Sequence, residues 1–139
     1  MSDVAFFDTN IFLYSRDKRD PLKQAIATQT LLAAEKLVIS TQVLQEFYSA
    51  ATRKLRMDPT DAAAATEALC NLETVVTVGR IEILRAIRVE RQHRISFWDA
   101  LIVSAAETAG ATILFTEDLT HGQRFGSIQI VNPFHALSS

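Results

Sequence analysis

Five short runs, "VAFF" (4–7), "KLVIS" (36–40), "TVVTV" (74–78), "ATILFT" (111–116) and "IQIV" (128–131), punctuate a chain that otherwise has helical composition. Apolar or β-branched runs of this length read as strands covered on both faces. Between them the helix signals are strong. Asp20-Pro21 and Asp58-Pro59 each set a capping carboxylate before a proline suited to the first turn. They open helices over 21–35 and along "DAAAATEALCNL". Ser40 or Thr41 starts a helix carrying Val43, Leu44, Phe47, Ala50, Ala51 and Leu55 on its apolar face. Residues 80–93 are helical in composition with a ragged apolar face, and "SFWDALIVSAAETAG" (96–110) opens on a cap and ends at a glycine. The resulting order, β-α-β-α-α-β-α-α-β followed by a short edge strand at "IQIV", predicts an α/β domain. It has a mainly parallel sheet between helical layers. At 139 residues, the expected organisation is one domain over 1–139, with no internal repeat or linker.

In such a sheet, ligands bind beyond the carboxyl ends of the strands. Asp8 falls there, directly after strand one. Glu46 lies one to two turns into the helix after strand two. Asp99 is in the first turn of the helix beginning near Ser96, and Asp118 follows the strand "TILF". Four carboxylates meeting at one end of a sheet repel one another and raise their own pKa values, a penalty that a divalent cation removes. Oxygen ligands without histidine or cysteine favour Mg²⁺ or Mn²⁺ over zinc. Such a metal suits phosphodiester or phosphomonoester chemistry.

Each acid also has a purely structural alternative. Asp8 can close a turn with Thr9 and Asn10. Glu46 can be a solvated helix residue. Asp99 fits a capping box with Ser96, and Asp118 can be a turn acid with Glu117 as the ligand in its place. Thr9, Asn10, Ser96 and Thr116 are candidates to orient the carboxylates. Phosphate contacts are candidates among the basic residues of "RKLR" (53–56) and of Arg80, Arg85, Arg88, Arg91, His93 and Arg94. Arg85, Arg88 and Arg91 form one helical stripe, which serves equally as a solvated face paired with Glu82 and Glu90. Phe12, Tyr14, Phe47 and Trp98 are aromatic candidates for base stacking or for the core. His121 is a phosphate contact or a loop residue.

With 14 basic and 16 acidic residues the net charge is −2, so any attraction to nucleic acid must be local. Cys70 is the single cysteine, which excludes an internal disulfide and a cysteine zinc site and suits a reducing cytoplasm. Residues 1–7 lack the pattern of a signal peptide, and no run of 18 apolar residues occurs, so no membrane span is expected.

Taken in order, "FFDTNIFLY", "ISTQVLQEFY", "ISFWDALIVSAA" and "ILFTEDLTHGQ" with "IVNPF" resemble the motifs of the PIN-domain ribonucleases. Within that family they resemble the toxins of VapBC-type toxin–antitoxin modules. The resemblance spans essentially the whole chain. It maps the family's acids to Asp8, Glu46, Asp99 and Asp118, with Thr116 beside the last. It implies a three-layer α/β/α sandwich and a Mg²⁺- or Mn²⁺-dependent endoribonuclease leaving a 5′-phosphate and a 3′-hydroxyl. It further implies a homodimer, a cognate antitoxin and an RNA substrate such as tRNA or ribosomal RNA. Glu117 beside Asp118 and the glycines of "LTHGQRFG" depart slightly from the pattern. Two other readings compete. A phosphatase or phosphotransfer domain would use Asp8 as nucleophile, but Asn10 replaces the second acid of the familiar Asp-x-Asp motif. A non-catalytic RNA-binding module would need the basic residues but not the acids. A dinucleotide site is disfavoured, because "DTN" follows strand one in place of a glycine-rich turn.

Overall fold

The computed structural model describes residues 3–138. Met1, Ser2 and Ser139, the ends of the span read as one domain, lie outside the described residues. The chain runs β1 (Ala5–Phe7), α1 (Thr9–Tyr14), α2 (Pro21–Ala33), β2 (Leu37–Ser40), α3 (Thr41–Arg53), α4 (Pro59–Cys70) and β3 (Thr74–Val76). It continues α5 (Arg80–His93), α6 (Phe97–Thr108), β4 (Ile113–Phe115), β5 (Arg124–Phe125) and β6 (Ile128–Val131). The sheet order is β3-β2-β1-β4-β6-β5, parallel except for the last pair, with helices on both faces. In register, Phe6 sits between Val38 and Leu114, and Phe115 between Phe7 and Val131. No helix among the described residues is long and apolar enough to cross a membrane.

The expected caps form. Asp20 accepts from the Lys23 N–H at 3.2 Å and Asp58 from the Thr60 N–H at 2.8 Å, each ahead of its proline. Ser40 takes the cap position of α3 without a side-chain cap bond. All three β1 residues are buried, as are seven consecutive residues of α6, Ala100–Ala106, so α6 is covered nearly all round. Phe6, Phe7, Ile11, Ile39, Phe47, Leu114 and Ile130 fill the core, and Phe7 stacks on Phe115 with centroids 5.0 Å apart.

The fold departs from expectation at two places. "IQIV" is not the edge of the sheet. It lies between β4 and the two-residue β5, which folds back through a tight hairpin with Gly126 at φ +60°. Two residues are too few to show a strand pattern, so β5 leaves no trace in the sequence. No helix is predicted between strand one and Asp20, yet the short helix α1 stands there with Asp8 as its cap.

Candidate active site

The strand order reverses direction at β1, which has β2 on one side and β4 on the other. In open parallel sheets such a switch point opens a crevice at the strand ends. A cleft of about 390 Å³ lies there, lined by residues of α1, α3, α6 and the loop after β4. Asp8, Glu46, Asp99 and Asp118 all line it.

Asp8 is 5% exposed and anchors the arrangement. Its Oδ1 accepts from the Thr9 N–H at 2.7 Å and its Oδ2 from the Thr116 hydroxyl at 2.8 Å. Burial pushes its pKa up to about 7; the two hydrogen bonds pull it down, and the charges of Asp118 and Glu46 add to the rise. The next two residues reach two of the other three acids. The Thr9 hydroxyl donates to Glu46 Oε1 at 2.8 Å, and Asn10 Nδ2 donates to Asp118 Oδ2 at 3.3 Å. The tripeptide Asp8-Thr9-Asn10 thus touches three of the four carboxylates. Thr116 also closes the loop after β4, where its Oγ1 accepts the Asp118 N–H at 3.1 Å. At the start of α6, Ser96 Oγ accepts the Asp99 N–H at 3.1 Å, so Asp99 is both a capped-turn residue and a cleft residue.

Asp118 stands at the exposed rim, yet the cleft walls crowd its carboxylate. Burial, then the negative charges of Asp99, Glu117 and Glu46, hold its pKa above the usual range; the Lys54 ammonium offsets part of this. Glu117 faces elsewhere. It accepts from the Tyr14 hydroxyl at 2.6 Å and from Lys23 Nζ at 3.1 Å, outside the cleft.

Sequence reasoning missed Gln42. It donates to Glu46 Oε2 at 3.4 Å and to the Trp98 carbonyl at 3.1 Å, tying α3 to α6 beside Asp99. Its Oε1 is buried without a partner among the described residues. The basic residues in the lining are Arg53 and Lys54, from the end of α3. The arginine stripe of α5 is outside the lining. Arg85 docks on α6, donating to the Ser104 carbonyl and the Thr108 hydroxyl, both at 2.9 Å, with Glu107 3.5 Å away. His121 is also apart, accepting the Asn132 N–H at 3.0 Å and stacking on His135.

Among the described residues no three carboxylate, histidine or cysteine side chains stand together as a ready-made metal cage. Asp8 has both oxygens engaged, and mutual repulsion spreads like charges. The donors fit a hard cation that keeps several of its waters and meets few protein oxygens directly. A buried carboxyl held near neutral pKa beside two other acids is a site short of positive charge.

The family model of the PIN domain matches residues 5–123. No curated protein matches the sequence. Among solved structures, the fold is similar to a chain of a toxin–antitoxin complex from Klebsiella pneumoniae (20% identity, 94% of this chain and 98% of that chain, TM-score 0.67). It is similar to Mycobacterium tuberculosis VapC20, a sarcin-ricin loop cleaving toxin (21% identity, 80% and 87% covered, TM-score 0.64). It is also similar to a chain of DNA-bound VapBC from Salmonella typhimurium (22% identity, 94% and 97% covered, TM-score 0.63).

Proposed function

The chain belongs to the PIN-domain family, and on that premise we propose that it is a metal-dependent endoribonuclease, the toxin of a toxin–antitoxin pair. The observation that carries the reading is the meeting of Asp8, Glu46, Asp99 and Asp118 in one cleft, with Arg53 and Lys54 in the same wall. Asp8, Asp99 and Asp118 would hold Mg²⁺ or Mn²⁺, and Glu46 would complete the acidic site. The ion, when bound, supplies polarisation of a phosphate oxygen and a lowered pKa for water.

The chain's own residues do the positioning. Thr116 and the Thr9 N–H fix the Asp8 carboxylate, the Thr9 hydroxyl fixes Glu46, and Asn10 steers Asp118. Arg53 and Lys54 are suited to hold the RNA phosphates that flank the reacting bond. Hydrolysis would leave a 5′-phosphate and a 3′-hydroxyl.

The toxin assignment and the cognate antitoxin are supported by the likeness in fold to chains of toxin–antitoxin complexes, and a homodimer is what the resemblance of the sequence motifs implies. An RNA target of the ribosomal kind is supported by the likeness to VapC20, a sarcin-ricin loop cleaving toxin, and tRNA is the other target class that the resemblance implies. The phosphatase reading loses ground. A nucleophilic Asp8 would be joined by a second acid two residues on, and Asn10 stands there, donating to Asp118.

The test is cleavage of a mixed small-RNA pool with Mg²⁺, Mn²⁺ or EDTA, beside Asp8→Asn. Discrete fragments that need both metal and Asp8 are expected. Folded, antitoxin-free protein that cuts nothing with either metal would reject the reading. Mn²⁺ binding followed by electron paramagnetic resonance should weaken in Asp8→Asn whatever the RNA target.

A further inference from the structure

Four aromatic side chains are candidates to meet a nucleic-acid base, and the fold commits three of them elsewhere. Phe12 and Phe47 are buried in the core. The Tyr14 hydroxyl bonds Glu117, and its ring packs edge-on against Phe134. Trp98 is 63% exposed and lines the acidic cleft, one residue before Asp99. We propose that the Trp98 indole is a stacking platform for an unpaired nucleobase beside the bond to be cut. The preferred substrate would then be RNA with a splayed-out nucleotide at that position. This rests on the nuclease reading and deepens it.

The geometry suits the role. The Trp98 carbonyl is held by Gln42, and its ring meets the Phe97 ring edge-on at 5.2 Å and 77°. The indole therefore stands on a fixed backbone in the first turn of α6, with much of its surface open. Stacking accepts any base through its π-face, whereas a base inside a duplex has both faces covered by its neighbours. Arg53 and Lys54, lining the same cleft, offer cations to the backbone of a strand whose base lies on the indole.

Trp98 is the single tryptophan of the chain, so its emission reports on this site alone. The experiment titrates Asp8→Asn protein in Mg²⁺ with three fluorescein-labelled RNAs. These are a single-stranded oligomer of mixed sequence, an abasic ribose-phosphate oligomer of equal length and a blunt duplex. Label anisotropy measures binding and tryptophan emission measures stacking. Strong quenching by the single strand, and little by the abasic oligomer or the duplex, is expected. With an RNA that wild-type protein cleaves, Trp98→Ala should raise KM about tenfold and leave kcat within about threefold. Trp98→Phe should recover most of the loss.

Bound single strand with unchanged emission, or an unchanged KM in Trp98→Ala, overturns the stacking role while leaving the nuclease intact. If the alanine variant fails to fold, the emission of the Trp98-containing protein decides in the same way. Emission that responds to protein dilution and not to RNA overturns the proposal by placing the indole between copies of the chain. No RNA bound by Asp8→Asn together with no RNA cut by wild type overturns both readings.

Discussion

Thr116 Oγ1 donates to Asp8 Oδ2 at 2.8 Å, joining side chains 108 residues apart at the ends of the neighbouring strands β4 and β1. The same hydroxyl accepts the Asp118 N–H, so one buried side chain sets the positions of two acids of the cleft. Thr116→Val keeps the shape and removes both bonds. A buried acceptor and an N–H are then left short of partners, which costs about 1–3 kcal/mol. Cleavage should fall about 10- to 100-fold, as for other residues that orient metal ligands. Thr116→Ser should keep most of the activity. Denaturant unfolding and kcat/KM, measured on all three proteins, check this; a folded valine variant with unchanged kcat/KM would remove Thr116 from the machinery.

Stability should depend on pH through Asp8. Its pKa rises from 3.8 to about 7 on folding, so the folded protein binds the proton more tightly than the unfolded chain. The contribution of Asp8 is therefore fully present below about pH 4 and is lost as pH rises to about 7. Above that, the buried charge costs the metal-free fold on the order of 4 kcal/mol. Asp8→Asn removes the charge and keeps its partners, because the Thr116 hydroxyl both donates and accepts. The variant should melt several degrees higher than wild type near about pH 8 without metal, and the gain should vanish near about pH 4. Mg²⁺ or Mn²⁺ should raise the wild-type Tm at the higher pH and leave Asp8→Asn nearly unmoved. Melting curves across this pH range test the prediction, and a constant difference between the two proteins would exclude Asp8 as its source.

Glu117 and Asp118 are adjacent acids with opposite surroundings. Glu117 is engaged by Tyr14 and Lys23, and the Lys23 ammonium also lies 4.5 Å from the Tyr14 ring centroid. Asp118 faces the cleft. Glu117→Gln should leave kcat within about threefold, whereas Asp118→Asn should lower it at least about 100-fold. Comparable losses in both variants would mean that the outer contacts of Glu117 are not its role.

The sheet is legible in the sequence because its strands are covered on both faces and write themselves as short apolar runs. The candidate acids are legible for a related reason: each follows a recognisable strand or cap, which fixes its end of the sheet. What stays hidden depends on contacts made far away along the chain. Whether Glu117 or Asp118 faces the cleft is decided by Tyr14 and Lys23, 103 and 94 residues earlier. Arg85 looks like part of a free stripe until α6 packs beside it and supplies Ser104, Glu107 and Thr108. Gln42 carries no sequence signal, since its partners Glu46 and Trp98 meet only when α3 and α6 are in place. Helix α1 is six residues long, too short for a helical period, and its capping Asp8 resembles a turn residue.

The two basic regions face different surroundings. Lys54 lines the cleft, and its charge reaches Asp118; Arg88 is exposed on α5, which contributes nothing to the lining. Each phosphate contact to a single strand contributes about 0.7 to the slope of log binding constant against log salt concentration. Lys54→Ala should lower RNA affinity and reduce that slope by about 0.7. Arg88→Ala should change neither. A salt series of anisotropy titrations on the three proteins reads both quantities. Loss of affinity in Arg88→Ala, with Lys54→Ala unaffected, would put the RNA on the outer face of α5 and separate binding from the acidic cleft. The predicted pattern instead ties binding to the wall that holds Asp118.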